Sequence, residues 1–217
     1  MFDLLPRMYV TWDESLESVD DFLRYQLWRR VQGETEWSKR ARITNRGITF
    51  WDDTIAHSST VYEYGVTQVI DVSGEEIESE MSGVVSAELT IVDIFLHDVF
   101  APENYVQVQT PTHTRAVTQP ITFVQPWSRR APTAHISHVI SSTYKFGTND
   151  VWNEEQWLGL LNLMDRQHES GAVLMVRQDH DIAMFGQMES PLGLSENGAI
   201  ANSSVNFRET YYREEVD

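Results

Sequence analysis

The stretch VYEYGVTQVIDV, residues 61–72, decides the fold class. Tyr62, Tyr64, Val66, Gln68 and Ile70 share one parity, while Glu63, Gly65, Thr67, Val69 and Asp71 share the other. A period of two in a run rich in aromatic and β-branched residues marks a strand with one drier and one wetter face. Ser73-Gly74 then turns the chain into Glu75 to Ser86, where Glu76, Glu78 and Glu80 alternate along one face.

Toward the N-terminus the same texture repeats at roughly ten-residue spacing. Met8-Tyr9-Val10-Thr11-Trp12 is a short apolar strand, closed by the polar, acidic Asp13 to Asp21. Phe22 to Val31 sets Leu23, Tyr25 and Leu27 on one parity and Arg24, Gln26 and Trp28 on the other. Gly33 marks a turn before a strand over Trp37 to Thr44. Asn45-Arg46-Gly47 is a second turn, and Ile48 to Trp51 leads into Asp52-Asp53. Short strands separated by turns predict an antiparallel β-sandwich over residues 1–90.

Composition sets the outer limits. With 217 residues, 41% of them hydrophobic and 23% charged, the chain can bury a core in one or two domains. No apolar run approaches the roughly 18–20 residues that span a bilayer, so no membrane insertion through a helix is expected. MFDLLPRMYV has no basic start followed by an apolar stretch, so no secretory signal is expected. Cysteine is absent, which excludes disulfides, thiolate metal sites and a catalytic thiol. Sixteen Lys and Arg against 33 Asp and Glu give a net charge of −17. That balance argues against wrapping duplex nucleic acid, which needs a basic face, and against an anionic membrane surface.

Within this acidic chain, residues 104–149 contain no acid but carry Arg115, Arg129, Arg130 and Lys145. Such a segment either pairs with an acidic face on a neighbouring copy, or is a loop that happens to lack carboxylates. Glu76, Glu78 and Glu80 are the natural acidic counterpart, unless they are simply a solvated face that discourages stray strand pairing.

The second half, residues 91–217, is predicted as a separate β domain with one helix. Five of the seven prolines (Pro102, Pro111, Pro120, Pro126, Pro132) fall between residues 100 and 133 and predict a long loop with short extended pieces at Tyr105 to Gln109 and Ile121 to Val124. His135 to Tyr144 reads as a strand. A helix follows over about residues 153–168, capped by Thr148, Asn149, Asp150 or Asn153, with Glu154 and Glu155 at its positive end. Trp157, Leu158, Leu160, Leu161 and Met164 form its apolar stripe, and Gly171 lies just past it. Ala172 to Val176 and Ile182 to Met188 make a hairpin around Asp179-His180-Asp181. Leu192 to Gly198 is a link, and Ala199 to Tyr212 a final strand.

Chemistry-bearing motifs are sparse. His135 and His138 fall on opposite faces of a strand, which favours a structural role over a zinc site. The Asp179-His180-Asp181 run lacks calcium-loop spacing, and no GxSxG, P-loop or GxGxxG occurs. Paired carboxylates for glycoside hydrolysis cannot be singled out. The terminal Glu214-Glu215-Val216-Asp217 is read as chance. Trp28, Trp37 and Trp51 are candidate aromatic platforms near acids and amides, an arrangement suited to sugars, with core packing as the plainer reading.

In order, VTWD, YQLWRR, TFWDDTI, STVYEYGVTQVID and SGEEIESEMS, spanning residues 6 to about 88, resemble a fibronectin type III domain. The resemblance implies that Trp12 belongs to the core and that Tyr62 forms the tyrosine corner, although Ile55 followed by Ala56-His57-Ser58-Ser59 replaces the family's Leu-x-Pro-Gly approach. WLGLLNLMDRQHESG, AVLMVRQD and ANSSVNFRETYY, within residues 90–217, resemble the C-terminal part of minor tail proteins of long-tailed bacteriophages. That second resemblance implies a tail-tube-like β-sandwich or barrel flanked by one helix, with Trp157 and Leu161 in its core.

Together the two resemblances imply a non-enzymatic structural subunit of a phage tail tip or baseplate. It would close into a ring of copies of itself through the C-terminal domain, display the fibronectin-like domain outward, and meet the tail tube, tape measure and hub. They also imply synthesis in the host cytoplasm, incorporation into the virion tail, no cofactor and no direct sequence-specific nucleic-acid binding. Arg115, Arg129, Arg130 and Lys145 facing Glu76, Glu78 and Glu80 are the expected subunit interface. The alternative is a carbohydrate-binding adhesin that contacts host surface glycan.

Overall fold

The computed structural model describes residues 5–108, 111–118, 121–124, 133–136, 141–148, 153–179, 182–189 and 205–210. The chain is mainly β, with one α-helix among the described residues. It divides into two compact units. Residues up to Val92 together with Arg177–Ala183 form the first, and Asp93–Val176 with the chain from Met184 through the last described strand form the second.

The first unit contains β1 (Met8–Thr11), β2 (Phe22–Val31), β3 (Ser38–Ile43), β4 (Phe50–Asp53), β5 (Val61–Val72), β6 (Glu75–Glu78) and β7 (Val85–Glu88). Strands β1 and β4 pair antiparallel as a two-stranded sheet. The other sheet runs β3-β2-β5-β6, and β7 also pairs with β5. Met8 and Val10 from β1 meet Ala56, Tyr62 and Tyr64 in one apolar cluster, and Phe22, Tyr25, Leu27 and Val66 form another. Trp12 and Trp51 pack against both clusters. Trp12 thus takes the core position expected of it, though partly buried and just beyond the end of β1.

The alternation expected along β5 holds from Tyr62 to Val66 and then shifts, since Val69 is buried while Gln68 and Ile70 are half-buried. Strand β2 meets this end of β5 with a register shift between Phe22 and Arg24. A bulge inserts one residue and so exchanges the faces beyond it, which puts Phe22 rather than Leu23 into the core. The single run expected from Glu75 to Ser86 is likewise interrupted: β6 and β7 both lie along β5, with Ser79 and Ser82 keeping backbone hydrogen bonds to Gln68 and Val66 between them.

The second half of the chain contains β8 (Ile94–Asp98), β9 (Tyr105–Val108), β10 (Pro111–Thr118), β11 (Ile121–Val124), β12 (Thr133–Ile136), β13 (Ser141–Thr148), α1 (Glu154–Ser170), β14 (Leu174–Gln178), β15 (Ile182–Glu189) and β16 (Val205–Glu209), all in the second unit except the ends of β14 and β15 that fall within Arg177–Ala183. Seven strands form one sheet in the order β10-β13-β16-β15-β14-β8-β9, and β11 pairs with β12 apart from it. The short extended pieces expected at Tyr105 to Gln109 and Ile121 to Val124 are β9 and β11, and the loop expected over 100–133 is corrected by a further strand, β10, between them. Proline is tolerated there because Pro111 opens β10 at the sheet's edge, where a missing N–H breaks no ladder. The strand expected over His135 to Tyr144 is instead the end of β12 and the start of β13; residues 137–140 lie outside the described residues. The described part of the final strand is Val205–Glu209, with Val205 and Phe207 buried and Asn206 and Arg208 exposed.

Helix α1 starts at Asn153, whose side chain accepts from the Gln156 N–H while Gln156 reaches back to the Asn153 backbone. Gly171 ends it at φ 66°, a left-handed conformation that costs glycine little. Trp157, Leu160 and Leu163 are buried. Leu161, expected in the core, is 36% exposed, and Leu158 is 56% exposed. The covered face is narrower than the apolar stripe, because α1 lies tightly over β9. A Cβ on Gly159 would come within 2.7 Å of Val106 Cγ2, and Gln156 donates to the Gln107 carbonyl.

Candidate functional site

A concavity in the first unit lies beside β5, between β6 and β7. Met81 there fills the space above the bare Gly65 backbone, while Ser79 and Ser82 on either side of it stay hydrogen-bonded to β5. The resulting cavity is about 230 Å³. Trp12, Tyr25 and Val66 form its apolar wall, Asp13, Gln68 and Glu80 its polar rim, with Thr67, Ser79 and Ser82 between. Tyr25 is held in place: it stands edge-on to Trp12 with ring centroids 5.4 Å apart, accepts from the Ser15 N–H at 2.7 Å and donates to the Arg46 carbonyl at 3.1 Å.

The polar groups of this cavity differ in how far they are satisfied. Ser79 Oγ accepts from the Gln68 N–H, Ser82 Oγ accepts from the Val66 N–H, and Thr67 takes a hydrogen bond from the Trp28 indole and gives one to Glu78. By contrast, the indole N–H of Trp12 is buried with no hydrogen-bond partner. Among the described residues, the side chains of Asp13, Gln68 and Glu80 also make no hydrogen bond or ion pair.

A second polar cluster is wholly structural in form. Asp53, fully buried, accepts from Arg29 at 2.7 Å, from the Tyr64 hydroxyl at 2.9 Å and from the Ile55 N–H at 3.2 Å. The Arg29 guanidinium also lies 4.5 Å over the Tyr62 ring. Arg177, equally buried, donates to the carbonyls of Ala56 and Pro6 at 3.0 and 2.6 Å. Burial pushes its pKa down to about 10, partly offset by the charge of Asp53. Burial first, then the neighbouring Asp53 charge, pushes the Tyr64 phenol well above the ordinary tyrosine range. Tyr62 accepts from the His57 N–H, five residues upstream, at 3.4 Å.

No family model, curated protein or solved structure matches the chain. The site residues must therefore be judged on geometry.

The expected charged interface fares unevenly. Glu76 forms a two-pronged pair with Arg24 at 2.6 and 3.0 Å, and that hydrogen bonding holds its carboxyl below the usual range. Glu78 is taken by Thr67, and Glu80 faces the cavity. Arg115 sits 3.8 Å from Glu209 of its own sheet, and Lys145 is exposed on β13 opposite Thr114 and Asn206. Arg129 and Arg130 lie outside the described residues. The structure thus pairs Arg24 with Glu76 and Arg115 with Glu209, leaving less free charge for a neighbouring copy than the sequence implies.

The tryptophans are similarly reassigned. Lys39 lies over Trp28 and Arg30 over Trp37, at 5.5 and 4.4 Å, and Trp51 packs against the two core clusters. The aromatic residue that walls a concavity is Trp12, which sequence reasoning assigned only to the core. Its signal was present in the adjoining Asp13, but Gln68 comes from β5 and Glu80 from the segment between β6 and β7, and only folding joins them to it. His135 lies in β12, and His138, His180 and Asp181 lie outside the described residues. Asp179 accepts from Ser58 and Ser59. Among the described residues no group of three or more potential ligands could hold a metal ion, and no helix is long and apolar enough to cross a membrane.

Proposed function

We propose that the chain is a structural, non-enzymatic subunit of a phage tail tip or baseplate, closing a ring through its second unit and displaying the first outward. The observation that carries this reading is the arrangement of the first unit: β1–β4 against β3-β2-β5-β6, with Tyr62 bonded back to the backbone five residues upstream. That order and that tyrosine contact are what a fibronectin type III-like sandwich with a tyrosine corner requires. The second unit adds the seven-stranded sheet with helix α1 lying on β9, in keeping with a tail-tube-like domain.

Function on this reading is assembly. Head-to-tail contacts between identical subunits close a ring when the rotation allows, and the partners are further copies of the chain together with the tail tube, tape measure and hub. The test is electron microscopy of virions labelled with antibody against the chain. Label at the distal end of the tail is the expected result, and a chain missing from virions overturns the proposal.

A further inference from the structure

We infer that the two open edges of the β3-β2-β5-β6 sheet pair with one another between copies of this chain, β6 of one copy adding to β3 of the next. The inference concerns the first unit alone, so it stands whether or not the second unit closes a ring.

Among the described residues, β3 pairs with no strand but β2, and β6 with none but β5. Each therefore leaves one row of backbone donors and acceptors open to another strand. Charge divides the two edges. Strand β3, SKRARI, carries Lys39, Arg40 and Arg42 and no acid, while β6, EEIE, carries Glu75, Glu76 and Glu78 and no base. All of β6 is exposed, as is Arg42, which makes no hydrogen bond or ion pair among the described residues. Like charge keeps β3 from meeting β3 and β6 from meeting β6, which leaves the mixed pair as the permitted one.

Strand direction and side-chain faces agree with that pairing. The pairs β3–β2, β2–β5 and β5–β6 are all antiparallel, so β3 and β6 run in opposite directions. A second copy set beside the first in the same orientation thus brings β6 antiparallel to β3, and the sheet continues. Residues directly opposite in a ladder share a face. Gln26 stands opposite Arg42 and Trp28 opposite Lys39, while Arg24, Val69 and Glu78 stand in line. Arg24, Gln26 and Trp28 alternate along β2, so Lys39, Arg42 and Glu78 lie on one face, where Arg24 also holds Glu76. On the other face Ala41 and Ile43 stand opposite Leu27 and Tyr25, and Ile77 is in line with Ile70 and Phe22 of the same buried cluster. Continuing the sheet therefore sets acid against base on one face and Ile77, 46% exposed, beside Ala41 and Ile43 on the other. The contact is head-to-tail, the kind that closes rings or runs on as a filament.

Sedimentation velocity of the full chain over a range of concentrations tests this. The wild type should self-associate, and less so as salt is raised. Lys39→Glu with Arg42→Glu reverses the basic edge, and Glu76→Lys with Glu78→Lys reverses the acidic one. Each double variant alone should associate at least about tenfold more weakly, because attractive cross-strand pairs become repulsive. Arg42→Glu by itself, which breaks no hydrogen bond, should weaken association in the same direction. An equimolar mixture of the two double variants should regain association, since each supplies the edge that the other lacks. All four positions are at least partly exposed, so the variants should keep the wild-type circular dichroism spectrum. A monomeric wild type, association unchanged in the variants, or a mixture no better than its parts overturns the inference. Association unchanged in the variants would leave the contact to the second unit, so the assembly reading survives that outcome.

Discussion

Arg29 and Asp53 meet at 2.7 Å with their side chains only 7% and 0% exposed, so an ion pair stands inside the first unit where water cannot screen it. The Asp53 charge also favours the buried Arg177 guanidinium, whose own hydrogen bonds go to the Ala56 and Pro6 carbonyls. Replacing Asp53 leaves the buried Arg29 without its carboxylate. Asp53→Ala should therefore cost about 3–5 kcal/mol, the range seen when one partner of a buried pair is removed. Its neighbour Asp52 pairs with Arg7 near the surface, at 26% and 47% exposure. Asp52→Ala should cost no more than about 1 kcal/mol. Urea unfolding of the two variants checks the contrast, and equal losses would mean that the buried pair is not the anchor.

Tyr64 gives the same cluster a pH signature. Its phenol is raised by burial and by Asp53, and that of Tyr144 in the second unit by burial. A group whose folded pKa lies above its unfolded value stabilises the fold below the unfolded pKa, here near 10, and loses that contribution as pH rises through the folded value. In an alkaline absorbance titration, Tyr64 should stay protonated while surface tyrosines ionise. Tyr64→Phe should remove one late-titrating phenol, leaving the early part of the curve in place.

The opposite sign applies to Glu76. The hydrogen bonds from Arg24 hold its carboxyl below the ordinary glutamate value of 4.5. A depressed carboxyl contributes stability above its unfolded pKa and loses it as pH falls through the folded one. Carbon-detected NMR of the side-chain carboxyls should place the Glu76 midpoint below the ordinary glutamate value, and Arg24→Gln should move it back up. A midpoint unaffected by Arg24→Gln would show that the pair does not persist in solution.

Much of this architecture was legible because period two is local. Tyr62, Tyr64 and Val66 could be assigned to one buried face from sequence alone, and Val205 and Phe207 likewise. The bulge at Phe22 was not legible, since it depends on how β2 registers against β5 and not on either strand by itself. Strand β10 in the proline-rich region was missed for a related reason: Pro111 is compatible with a strand only at an edge, and edge position is a tertiary property. The same gap hid the cavity. Asp13, Gln68 and Glu80 are unremarkable in sequence and acquire meaning only when three separate segments converge.

Helix α1 shows how far a stripe of leucines can be trusted. Leu160 and Leu161 look equivalent in WLGLLNLM, yet Leu160 is fully buried and Leu161 is 36% exposed. Removing the Leu160 side chain takes away its burial and opens a cavity, so Leu160→Ala should cost about 2–5 kcal/mol. Leu161→Ala should fall within about 0.5–1 kcal/mol of the wild type, because half-wet positions on a helix surface contribute little and alanine favours the helix. Asn153→Ala should lie between them at about 1 kcal/mol, through loss of the hydrogen bond that Gln156 N–H makes to its side chain at 2.8 Å. Thermal unfolding followed by helical circular dichroism ranks the three. A Leu161→Ala loss as large as that of Leu160→Ala would mean that the exposed face of α1 is covered in solution, as a subunit contact would cover it.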